Sequence, residues 1–104
     1  MLFNTLTGTA LQSAQLSIAR YCLHLEEQSG AIDLLHVIRN LNEEYKFVPK
    51  DQVCAFTNDI SNALCYIKNQ QTTEMSRAGY WKFKALSPFA AKQVLSQELA
   101  ALGV

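Results

Sequence analysis

Four stretches of this chain place apolar side chains three and four residues apart, and almost nothing in it alternates. That spacing repeats once per helical turn, so it sets one apolar stripe on each of four helices. Leu11, Ala14, Ile18, Tyr21 and Leu25 mark a helix over residues 9–28, and Leu34, Ile38, Leu41 and Tyr45 mark one over 31–45. Val53, Phe56, Ile60, Ala63 and Ile67 mark a third after Pro49, and Ala91, Leu95, Leu99 and Leu102 a fourth after Ser87-Pro88. The expected fold is all-α, a compact bundle of four to five helices with short loops and antiparallel neighbours, in one domain over residues 1–104.

The first helix carries a second stripe, Leu16 and Leu23, seven residues apart. A helix that is apolar on two sides needs cover on two sides. It is either central in the bundle or also faces a second subunit, and this is the reason to expect a homodimer. Thr7 or Thr9 can cap its start. Ser29-Gly30 ends it, because glycine accepts the left-handed conformation that closes a helix.

Asp33 falls in the first turn of the second helix, where the helix dipole favours an acid. Glu43 and Glu44 fall in its last turn, where it does not, so they are expected to be solvated or paired to another element. Pro49 suits a first helical position, and Ser87 with Pro88 forms a cap followed by proline at the first turn. Cys54, Asn58, Ser61 and Cys65 form a small, partly polar stripe beside the core stripe of the third helix, able to admit a close neighbour.

Residues 74–86 fit two patterns. As a helix, Met75, Ala78, Trp81 and Ala85 share a face; as a strand, Trp81, Phe83 and Ala85 alternate with Tyr80, Lys82 and Lys84. A lone strand would leave open edges with no partner, so the expectation is a fifth helix, which Gly79 weakens by about 1 kcal/mol relative to alanine.

The chain has 104 residues, of which 49% are apolar and 17% charged. A typical domain has about 25% charged residues, so the polar coat is thin and apolar surface is left for a partner. Nine basic and nine acidic side chains cancel, and global charge gives no drive toward nucleic acid or anionic membrane. The halves differ: residues 1–60 carry a net −3 and residues 61–104 a net +3. No run of apolar residues approaches a membrane span. The first eight residues lack the basic cluster and long apolar core of a signal peptide, and the expected compartment is cytoplasmic.

Chemistry is thinly marked. Cys22, Cys54 and Cys65 are odd in number, and no two stand in a C-x-x-C pair. All three are expected to be free thiols serving as small core residues. Cys22 and His24 lie two apart on one helix and diverge, and His36 lies on another, so no metal site is expected. Glu26-Glu27 and Glu43-Glu44 are adjacent pairs and diverge in the same way. There is no glycine-rich phosphate loop and no nucleophile or zinc-protease motif. The sequence predicts no catalytic residue, cofactor or small-molecule substrate, and so not an enzyme.

One segment has character. Arg77, Tyr80, Trp81, Lys82 and Lys84 interleave basic and aromatic groups. Together with Lys92 they are the candidate partner-binding residues. Tryptophan, tyrosine and arginine dominate protein-binding hot spots, and the expected function is binding another protein. The alternative is a nucleic-acid-binding regulator, in which this segment stacks bases and neutralises phosphates. Residues 74–86 and 88–102 would then form a helix-turn-helix-like pair exposing Lys92, Gln93, Ser96 and Gln97. A third reading puts Trp81 and Phe83 in the core while Lys82 and Lys84 reach water. Trp81 is expected inside, and Tyr80, Lys82 and Lys84 outside.

Overall fold

A computed structural model describes residues 8–69, 83 and 86–102 of the chain. They form an all-α bundle of four helices: α1 (Gly8–Ser29), α2 (Leu34–Tyr45), α3 (Val53–Asn69) and α4 (Pro88–Ala101). Among the described residues there is no strand, and no helix is long and apolar enough to cross a membrane.

Helix α1 is the central element. It packs against both α3 and α4, while α2 packs on α3. The consecutive residues Tyr21, Cys22, Leu23 and His24 are all buried, which on one helical turn means cover on every side. The second stripe of α1 is met only in part within one chain: Leu23 is 2% exposed, while Leu16 is partly buried. Cover around the late turns of α1 comes from α3, α4 and Phe83.

The helix ends follow their capping chemistry, with small shifts. Gly30 adopts φ +88° and its N–H donates to the Glu26 carbonyl at 2.7 Å, which closes α1. Helix α1 already includes Thr9, so that residue is not its cap, and Thr7 lies outside the described residues. Asp33 is not in the first turn of α2 but at its N-cap, where Oδ1 accepts from the His36 N–H at 3.2 Å. The left-handed Gly30 breaks the helical path, so α2 starts at Leu34 rather than at residue 31. Pro49 precedes a short 3-10 turn, Lys50–Gln52, before α3 begins at Val53. Ser87 caps α4 as expected, accepting from the Ala90 N–H at 3.2 Å, with Pro88 in the first turn.

Antiparallel succession along the chain brings α1 and α3 side by side in the same direction. Glu26 near the end of α1 and Lys68 near the end of α3 form an ion pair at 2.7 Å, so the two helices run alongside in the same sense. The α2 helix returns the chain between them. The pairing of α1 and α4 is antiparallel: Nε2–H of His24, late in α1, donates at 3.0 Å to the carbonyl of Leu86, just before α4.

Two loop residues belong to the core. Phe47 is 0% exposed and lies between Tyr45, at 5.4 Å between ring centroids, and Phe56, at 5.5 Å. Asn42 holds the chain in place for it: its Nδ2 donates to the Val48 carbonyl and its Oδ1 accepts from the Val48 N–H, both at 3.0 Å. Phe83 is also 0% exposed, with its ring against Tyr21 and His24. It stands in a turn, its carbonyl accepting from the Leu86 N–H at 3.1 Å, so the helix expected over 74–86 does not continue through Phe83 and Leu86. The rest of that reading, residues 74–82, 84 and 85, lies outside the described residues.

Candidate functional site

Of the six residues predicted to bind a partner, Arg77, Tyr80, Trp81, Lys82 and Lys84 lie outside the described residues. Lys92 is described, and it is engaged. Its Nζ lies 2.6 Å from Glu44 Oε2, joining α4 to the end of α2. That hydrogen bond to Glu44 holds the ammonium above its ordinary pKa range. Glu44 is thus the last-turn acid that finds a partner on another element. Ser96, also on the proposed recognition face, is hydrogen-bonded to the Tyr45 hydroxyl. Two of the four groups that face would offer to a nucleic acid have partners within the chain, Lys92 in an exposed pair.

The thiols divide. Cys22 is buried in the core, and burial pushes its pKa up to about 12. Such a thiol stays protonated and inert. Cys54 and Cys65 are exposed, against the expectation that all three would be core residues. Their stripe shares a helix face, as the spacing implies, but the face points away from the bundle. The histidines divide in the same way. His24 is buried with its hydrogen bond to Leu86, and His36 is exposed on α2 with Nε2 3.3 Å from Asn40 Nδ2. Among the described residues no group of three or more His, Cys, Asp or Glu side chains could hold a metal ion.

A different feature emerges from the parallel pairing of α1 and α3. The two helices leave an open groove of about 510 Å³ between them. Leu16 and Ala63, both partly buried, line it with Tyr66, whose side chain stands at its edge. Gln12, Gln15, Asn62 and Asp59 complete the lining. Tyr66 is 58% exposed, one of two large hydrophobic residues that stand clear of the described surface; the other is Phe89, 73% exposed at the start of α4. A half-exposed tyrosine next to an apolar floor offers both buried area and a hydroxyl to a partner.

The spacing puts Leu16 on a second stripe of α1 but does not show what it faces. Tyr66 falls between the two stripes of α3 and escaped both. The signal would have been a large aromatic residue set off the apolar stripe of an otherwise regular helix.

Comparison of the chain with protein-family models, with curated proteins and with solved structures finds no match.

Proposed function

We propose that this protein acts by binding another protein rather than by catalysis, and that the groove between α1 and α3 is the docking surface. The observation that supports this is Tyr66 standing exposed beside the apolar floor of Leu16 and Ala63. Aromatic anchors next to a small apolar pocket carry much of the energy in protein interfaces. Among the described residues the polar lining is three amides and one carboxylate, Asp59, with no cation. The matching partner is therefore a protein segment with an apolar anchor and a nearby lysine or arginine. Binding would be moderate, because the groove is open and a standard interface buries about 800 Å² per partner.

Selection from a random displayed-peptide library tests the proposal. Enriched peptides should pair an apolar residue with a basic one. Their affinity should fall at least tenfold on Tyr66→Lys, which adds a cation where the partner brings one, while the melting temperature stays put. Enrichment of acidic peptides, or equal binding by the variant, overturns the groove as the docking surface. Binding of an oligonucleotide that weakens steeply with salt, unaffected by Tyr66→Lys, would shift the function to the nucleic-acid reading instead.

A further inference from the structure

The two exposed thiols of α3 are related by a symmetry that the fold itself does not use. Cys54, Asn58, Ser61 and Cys65 are spaced four, three and four residues apart, so the order of spacings is the same read from either end. The cysteines are eleven positions apart, which is about three helical turns, roughly 16.5 Å along one face. A two-fold axis perpendicular to α3, passing between Asp59 and Ile60, exchanges position 54 with 65 and 58 with 61. Beyond the thiols, Asp51 is exposed in the 3-10 turn before the helix and Lys68 is exposed near its end.

We infer that α3 pairs antiparallel with α3 of a second copy of this chain, and that a peroxide locks the pair through two reciprocal disulfides between Cys54 and the second copy's Cys65. The geometry suits the bond. Helices in contact lie about 8–10 Å apart and their Cα atoms lie about 2.3 Å from each axis, so facing Cα atoms come within about 5.4 Å at the wider spacing. Disulfides need about 4.4–6.8 Å. Between the thiols, each Asn58 side chain faces the second copy's Ser61, and the two can hydrogen-bond. At each end Asp51 comes near the second copy's Lys68, opposite in charge; Lys68 also holds Glu26 at 2.7 Å, in a pair exposed enough to be shared.

The contact area explains why oxidation would matter. A strip one helix face wide and about 25 Å long covers only a few hundred Å² per partner, well below the roughly 800 Å² of a stable interface. The reduced chain should therefore be monomeric at micromolar concentration. In the first oxidation step the Cys54 sulfur attacks the peroxide, an S–O bond forms, the O–O bond breaks and water leaves. The second copy's Cys65 sulfur then attacks the oxidised sulfur, an S–S bond forms, the S–O bond breaks and a second water leaves. Each disulfide takes two electrons from sulfur and reduces one peroxide to two waters. Buried Cys22 takes no part.

This pairing goes beyond the groove and does not rest on it, because Tyr66 lies to one side of the thiol stripe. The experiment uses the full chain, half of it labelled with ¹⁵N, treated with hydrogen peroxide and mapped by mass spectrometry. The expected product is a dimer, reversed by dithiothreitol, whose cross-linked peptides join Cys54 to Cys65 with mixed isotopes. Cys54→Ser and Cys65→Ser should each stay monomeric, and an equal mixture of the two should form a singly bridged dimer. Links of Cys54 to Cys54 or Cys65 to Cys65 in excess, or no oxidised dimer, overturn the inference. Tyr66→Lys should dimerise like the natural chain, so failure of the groove leaves this result standing, and failure of the dimer leaves the groove.

Discussion

Helices α1 and α3 are neighbours running the same way, and they meet the burial problem from opposite sides. Helix α1 spends nearly its whole circumference on the interior: Tyr21, Cys22, Leu23 and His24 are all buried. Helix α3 buries only Val53, Phe56, Ile60, Leu64 and Ile67, one stripe, and shows Cys54, Cys65 and Tyr66 to solvent. A chain with few charged residues must leave uncharged groups outside, and here they gather on α3. The central helix holds the fold together, and the peripheral one is free to meet other molecules. The same residue type therefore has different chemistry on each, as the three cysteines show.

The comparison breaks most readily at Ile18, which is 0% exposed on α1. Ile18→Ala should cost about 2–5 kcal/mol, since the cavity it leaves is walled by a core that cannot collapse freely. In a domain of this size each 1 kcal/mol lowers the melting temperature by about 4–8 °C. Asn58→Ala on the outer face of α3 should stay within about 0.5 kcal/mol of the natural chain. Calorimetry of both variants checks the contrast, and equal losses would mean that the outer face of α3 is covered.

Alkaline pH gives a second, smaller lever on α1. The Cys22 thiol titrates at 9.0 when unfolded and is pushed up to about 12 by burial. Between those values the unfolded chain has lost the proton and the folded chain keeps it. Stability conferred by this group is therefore fully present below pH 9.0 and is lost as pH rises toward 12, at about 1 kcal/mol per pH unit. Urea unfolding of the natural chain and of Cys22→Ala should converge with pH across that window. Parallel curves would show that Cys22 reaches water in the folded state.

How far the sequence could be read follows the same division. Local signals survived folding: the one-turn spacing of α1, α3 and α4, the left-handed Gly30, and the Ser87-Pro88 cap depend on neighbours along the chain. What depends on neighbours in space did not. Periodicity shows that Cys54 and Cys65 share a face, yet it cannot say whether the face turns in or out. The parallel course of α1 and α3 rests on where Glu26 and Lys68 meet, 42 residues apart. The groove at Leu16 and Tyr66 exists only because of that course. Phe47 escaped because a core side chain in a loop has no period, and it is held there by the two Asn42 hydrogen bonds.

The smallest expected effect is the most pointed, because it makes one substitution in both environments. Cys→Ser exchanges a thiol for a hydroxyl with almost no change of shape. At position 22 the hydroxyl enters an apolar core, where a buried polar group without a partner costs about 1–3 kcal/mol. Helical serine can donate to the carbonyl four residues earlier, here that of Ile18, which draws the cost toward the lower end. At position 65 the hydroxyl meets water, and the change should stay within about 0.5 kcal/mol. Both variants are to be melted under reducing conditions, so that no disulfide contributes. A clear loss for Cys22→Ser beside an unchanged Cys65→Ser sustains the contrast between the committed and the open helix. A loss at position 65 as large as that at position 22 would mean that the outer face of α3 is already covered in the reduced protein, and neither thiol pairing nor a free docking face could then be assigned to it.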